Sequence, residues 1–156
     1  IAFEVLCGIH VMPRSYRIHA FLLSSLLGGS GLAGASSPGD FVLEEIAPGI
    51  FLHRGHHADL EDPARGDSAN IGFIEGQRCV AVVDSGGSIA TGTRLVLAIQ
   101  KRVQKPVCYV INTHVHFDHV LGNGAFANEE LQFIGHRNLA EALPANREFF
   151  AEFFSE

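Results

Sequence analysis

A basic stripe is what this sequence most plainly lacks. Lys and Arg number 11 against 17 Asp and Glu, for a formal net charge of −6. A nucleic-acid surface needs clustered cations to meet phosphates, so no nucleic-acid partner is expected. No internal repeat stands out. No apolar run is long enough for a comfortable membrane span: Ala20 to Leu27 is short and glycine follows it at once. Methionine occurs once, as Met12, and Ile1 stands at the first position. That start, and a helical pattern running into Glu156, read as cut ends, so the sequence is taken as a fragment. What is present is enough for one modest soluble domain with a real core: 156 residues, 47% hydrophobic and 18% charged.

The residues after Met12 have the order of an export signal. Arg14, Arg17 and His19 form a short basic region, Ala20 to Leu27 an apolar one, and Ala33-Gly34-Ala35 an A-x-A cleavage pattern. Residues 12–35 are therefore read as a signal peptide and residues 1–11 as sequence upstream of the true start. Residues 36–156 are read as the exported domain, in the periplasm or outside the cell. Cys79 and Cys108 remain in that portion, both within apolar strand-like runs. They read as small buried hydrophobes, with a disulfide possible but not required.

The patterning is α/β. Phe41 to Glu45 and Ile50 to Arg54 read as strands about an Ala-Pro-Gly turn, and Gly55 to Asp67 as a polar surface loop. Ala69 to Glu75 and Cys79 to Asp84 flank Gly76-Gln77 as a hairpin. Ser88 is placed to cap a helix running to about Val103, with Ile89, Val96, Ile99 and Val103 inward. Val107 to Ile111 is continuously apolar, as for a strand covered on both faces. Gln132 to Gly135 is a short strand and Ala140 to Phe154 a helix with a phenylalanine-rich face. Strand, glycine turn, helix and strand make a βαβ unit with parallel strands. Ligands gather beyond the carboxyl ends of such strands, and Asp84 and His114 both lie there.

Thr113-His114-Val115-His116-Phe117-Asp118-His119 puts four metal-ligand candidates within six residues. Imidazole nitrogen and carboxylate oxygen are the donors that zinc accepts. His114 and His116, two apart in extended chain, point the same way and suit one ion. Asp118 and His119 can turn to a second, while Val115 and Phe117 anchor the loop. Asp84 is the candidate for a group that fixes the loop or orients a histidine. A loop merely rich in histidine does not account for so tight a cluster just past a buried strand. His56 and His57 read as solvated loop histidines, and His136 as a structural or supporting residue.

His114-x-His116-x-Asp118-His119 resembles the signature of the metallo-β-lactamase superfamily, and Val82-Val83-Asp84-Ser85-Gly86-Gly87 its upstream aspartate-glycine motif. The likeness runs from about Glu45 to Phe154. Ser68 to Ile74, Asp84 to Ser88, Tyr109 to His114 and Asp118 to Phe126 look most like one branch, the exported quinoprotein relay system zinc metallohydrolases. The resemblance implies an αββα sandwich, of which this is the N-terminal half with a mixed sheet and the βαβ unit. It implies two zinc ions, completed by a histidine, a bridging aspartate and a last histidine from the second half. No histidine follows His136, so the sequence as given is expected to be inactive by itself.

The implied activity is hydrolysis, with a zinc-bound hydroxide attacking the carbonyl of a small-molecule ester, thioester, lactone or lactam. Asp118 would hold the second metal and orient the nucleophile. A glyoxalase II-like thioesterase and a β-lactamase are the alternatives among enzymes. A non-catalytic metal- or partner-binding protein of a periplasmic quinoprotein pathway is the alternative outside them.

Overall fold

The computed structural model describes residues 9–11, 41–126 and 130–154. Residues 12–35, read as a signal peptide, lie outside the described residues, as do positions 1–8 of the upstream segment.

One mixed sheet forms the frame. Its strands are β1 (Ile9–Val11), β2 (Glu44–Ala47), β3 (Ile50–His53), β4 (Ile71–Glu75), β5 (Val80–Val83), β6 (Val107–Asn112) and β7 (Gln132–His136). They lie in the order β1-β7-β6-β5-β4-β3-β2. The β5–β6 and β6–β7 pairs are parallel and the other pairs antiparallel. Helix α1 (Ile89–Arg102) crosses from β5 to β6, so the expected βαβ unit is present. A four-residue helix, α2 (Phe117–Val120), and a 3-10 turn at Leu121–Ala125 follow β6. After β7 come α3 (Leu139–Ala145), with Pro144 inside it, and α4 (Arg147–Phe154). The single helix expected from Ala140 is thus two. Proline removes a backbone donor and crowds the preceding turn, which favours a break there.

Strand alternation decides which side chains enter the core. Phe51, Ile71, Phe73, Val80, Val82, Val110 and Phe133 are buried together with Leu95 and Ile99 of α1. On the other face Ile50 and Ile74 are exposed, and Leu52, Val83, Tyr109, Ile111 and Ile134 are half-buried. The apolar run of β6 was expected to be covered on both faces. Among the described residues it is well covered on one.

Ser88 caps α1 as expected, its Oγ accepting from the Thr91 N–H at 3.0 Å. Of the expected inward face, Ile99 and Val103 are buried and Val96 packs partly against the core, while Ile89 is 47% exposed; Thr91, Gly92 and Leu95 complete the buried face. Backbone approach decides the first turn. A Cβ on Gly92 or Gly122 would run into the Gly122 or Ser85 carbonyl oxygen respectively, so α1, the 121–125 turn and the loop after β5 meet main chain to main chain.

Cys79 and Cys108 form a disulfide, with Cα atoms 5.8 Å apart. Of the two readings open from the sequence, small buried hydrophobes or a disulfide, the structure gives the disulfide. Parallel pairing of β5 with β6 places Val80 opposite Val107, with an irregularity just beyond. The two cysteines flank that pair, and both are half-buried rather than buried.

Candidate metal centre

The parallel strands β5 and β6 end side by side, and the site is built where they stop. Asp84, the residue after β5, is buried and has φ of +56°. Aspartate tolerates this left-handed conformation better than most residues, at a cost of about 1 kcal/mol. Its carboxylate holds the conformation in place. Oδ1 accepts from the Thr113 N–H at 2.8 Å, and Oδ2 accepts from Thr113 Oγ and His119 Nδ1, each at 2.8 Å. One side chain at the end of β5 therefore ties down both flanks of the histidine loop.

Those bonds fix which ring nitrogens remain free. His119 donates Nδ1–H to Asp84, which turns Nε2 outward to within 3.5 Å of Asp118 Oδ2. The Thr113 hydroxyl spends its proton on Asp84, so at 2.9 Å His114 donates Nδ1–H to Thr113 Oγ. That leaves His114 Nε2 without a proton, 3.1 Å from His116 Nδ1, which donates to it. The His114 ring stands 4.7 Å from that of His116 and 4.0 Å from that of His119, centroid to centroid. His114 is held below the ordinary histidine pKa, first by burial and then by the neighbouring His119 and His116. His119 is raised above it, chiefly by the Asp84 hydrogen bond, with burial opposing.

The rest of the scaffold steers α2. The His119 carbonyl accepts from Ser85 N at 2.9 Å, Ser85 Oγ at 3.2 Å and Asn112 Nδ2 at 3.3 Å. Asn112 and Asn123 exchange reciprocal amide bonds of 3.2 and 2.8 Å, joining the end of β6 to the 121–125 turn. A Cβ on Gly87 would lie 3.0 Å from the Asp118 Cα, so only glycine lets α2 sit this close. Ser68 Oγ is 3.4 Å from Asp118 Oδ2.

The structure thus gathers His114, His116, Asp118, His119 and Asp84 at one sheet edge. Phe117 does not anchor the loop in the core; it is half-buried and lines a cavity beside it, while Val115 packs partly against the core. His56 and His57 are exposed, as expected of loop residues, and both line the same cavity. His136 is exposed at the end of β7, where its Nδ1 accepts from the Asn138 N–H at 3.3 Å. Sequence reasoning missed the buried cluster of His53, Asp67 and Arg94. His53 shares the inward parity of Phe51, and a histidine at a core-facing position demands a partner. That was the available signal.

No group of three or more His, Cys, Asp or Glu side chains among the described residues is arranged to hold a metal ion as it stands. The donors come in twos. His114 Nε2 with His116 Nδ1 and Asp118 Oδ2 with His119 Nε2 are 3.1 and 3.5 Å apart. Two ligands of one tetrahedral zinc, with bonds of 2.0–2.1 Å, sit roughly 3.3 Å apart. Each pair fits half of a tetrahedral shell.

The family model described as the metallo-beta-lactamase superfamily matches residues 64–131. The likeness to that superfamily is shown over this segment, which contains Asp84 and the whole of His114 to His119. The fold is shared with a metallo-beta-lactamase from Hirschia baltica, at 19% identity and a TM-score of 0.57 over 68% of this chain and 48% of that one. The metallo-beta-lactamase FIM-1 from Pseudomonas aeruginosa, in its mono-zinc form, is similar at 16% identity and a TM-score of 0.56. That match covers 68% of this chain and 46% of the other. The chain therefore spans about half the length of these solved structures. A comparison with curated proteins finds no match.

Asp84→Asn keeps the backbone preference and most of the shape, but replaces one accepting oxygen with an amide donor facing Thr113 and His119. A supporting carboxylate of this kind is worth about 10- to 100-fold in metal affinity. Competition titration of the full-length protein with a chromophoric chelator should show that loss. In metal-free protein the variant should also cost more stability at pH 6 than at pH 9. His119 is raised above 6.5 by Asp84, so the pair's contribution is full below that value and fades as pH rises through the folded value. Equal cost at both pH values would contradict this assignment.

Proposed function

We propose that the intact protein is a metal-dependent hydrolase of small carbonyl substrates, with zinc as the metal and two metal positions. The observation that carries this is the two facing donor pairs, each half of a tetrahedral shell, held by Asp84 at the ends of two parallel strands. His114 and His116 serve one position, Asp118 and His119 the other. The remaining ligands would come from a second half of the sandwich, whose sheet would cover the half-buried face of β6. A bound divalent ion supplies Lewis acidity toward the carbonyl and lowers the pKa of water to roughly 7.

The chain's own groups do the rest. Thr113 and Asp84 hold His114 and His119 with their free nitrogens outward. His116 would offer Nδ1 as a ligand in the tautomer that carries its proton on Nε2. Asp118, beside Ser68 and on the wall of the cavity, is placed to accept a hydrogen bond from water and orient it toward a bound carbonyl.

Export to the periplasm or the medium follows from reading residues 12–35 as a leader. The Cys79–Cys108 disulfide supports it, since such bonds persist in oxidising compartments. The motif runs around Asp84 and Asp118 support the quinoprotein relay branch as the finer placement, with a periplasmic quinoprotein pathway as its setting.

The test is metal content and turnover of the full-length protein on a panel of thioester, lactone, β-lactam and simple ester substrates. Two equivalents of zinc and turnover of one class are expected. Protein that takes up no divalent metal would overturn the reading. Stoichiometric binding of a redox partner with no turnover would replace it with the non-catalytic one.

A further inference from the structure

A cavity of about 490 Å³ opens directly beside the histidine loop. This is a volume that holds a small organic molecule. His116 and Asp118 form one wall. Beside the polar His56, His57, Ser68 and Asn146, the lining has an apolar part: Leu60 from the loop after β3, Val115 and Phe117 between the candidate ligands, and Phe149 and Phe150 from α4. The two α4 rings stand 5.9 Å apart at 62°, in edge-to-face contact. No Lys or Arg is among the described lining residues, so away from the candidate metal ligands no fixed cation is placed to clamp an anionic end of a substrate.

We infer that this site takes an uncharged carbonyl compound carrying an extended apolar group, which lies between Leu60 and the Phe149–Phe150 pair while its carbonyl sits at His116 and Asp118. The inference rests on the hydrolase reading for the position of the carbonyl. The apolar wall is independent of that reading. Phe150 and Leu60 select the chain, because burying each methylene against them raises transition-state and ground-state binding alike. That appears as a gain in kcat/KM of up to roughly fourfold per methylene.

The experiment uses the full-length, zinc-loaded protein with p-nitrophenyl acetate, butyrate, octanoate and hydrogen succinate, beside Leu60→Ser and Phe150→Ser. Leu60 is exposed on a loop, so its variant folds even if the helix variant does not. A second readout needs no metal: calorimetric titration of metal-stripped protein with octan-2-one against butan-2-one. The expected result is kcat/KM rising from acetate to octanoate, low turnover of the succinate, tighter binding of octan-2-one, and loss of both preferences in either variant. Ester turnover that ignores chain length, or that favours the succinate, overturns the inference and leaves the hydrolase reading standing. Selective octan-2-one binding abolished by Leu60→Ser, with no ester turned over, supports the apolar site and counts against the hydrolase reading alone. Equal binding of the two ketones overturns the inference by itself.

Discussion

His116→Ala in the full-length protein is expected to lower kcat/KM by about a thousandfold or more while leaving the fold intact. His116 is exposed in an extended segment, where its Nδ1 meets His114 Nε2 at 3.1 Å and its ring borders the cavity. Removing it leaves His114 as the remaining donor of that pair. A single imidazole from this half cannot keep an ion in place against water. The lost Lewis acidity is worth several kcal/mol, and about 4 kcal/mol is a thousandfold in rate. Stability should move by no more than about 0.5 kcal/mol, because the side chain fills no core space. The decisive comparison is metal stoichiometry beside turnover. Zinc content should fall by one equivalent with an unchanged far-UV spectrum. Wild-type turnover in a folded variant would remove His116 from the chemistry.

The part of this site that could be read from the sequence is the part whose chemistry is local. Four donors within six residues report themselves by type and spacing. Asp84 was reachable because the βαβ unit has to bring the ends of β5 and β6 together. The hairpin at Gly76 and the Ser88 cap were legible for the same reason, each resting on a few adjacent residues. What could not be read depends on distant partners. Ile89 matched the helical period of Val96, Ile99 and Val103, but at the first turn Gly92 and Thr91 make the close approach and Ile89 stays outside. Cys79 and Cys108 sit in apolar runs that suit buried thiols. Only the strand register, set along the whole of β5 and β6, makes them neighbours. Apolar periodicity from Ala140 to Phe154 is helical throughout, and an interruption at Asn146, two residues after Pro144, separates α3 from α4. His53, Asp67 and Arg94 lie 14 and 27 residues apart in pairs, with no motif to connect them.

That last cluster carries the largest expected loss of stability. Asp67 Oδ1 is 2.8 Å from His53 Nε2, and Oδ2 accepts from Arg94 at 2.9 Å. The other ring nitrogen of His53 faces the Val42 carbonyl at 3.0 Å. Both ring nitrogens are thus engaged, one by the carboxylate and one by the carbonyl. It is 5% exposed, stacked on Phe41 at 3.9 Å, and Arg94 lies over the same Phe41 ring. The His53 ring and the Arg94 guanidinium therefore share one nearly buried carboxylate. Asp67→Asn keeps the volume but takes the carboxylate from Arg94 and one accepting oxygen from the cluster, and should cost about 1–3 kcal/mol in urea unfolding. Adding His53→Gln should cost less than the same change made alone, since its partner is already altered. Additive losses would show the two side chains to be uncoupled. A cost below about 1 kcal/mol for Asp67→Asn would mean that the cluster does little to hold the fold. The effect should reach the metal centre too. Asp67 ends the 3-10 turn Pro63–Asp67, its carbonyl accepts from the His56 N–H, and the next residue, Ser68, lies against Asp118. Loosening this anchor frees the loop that carries His56, His57 and Leu60 along the cavity, so substrate affinity should weaken at temperatures where the variant is still folded.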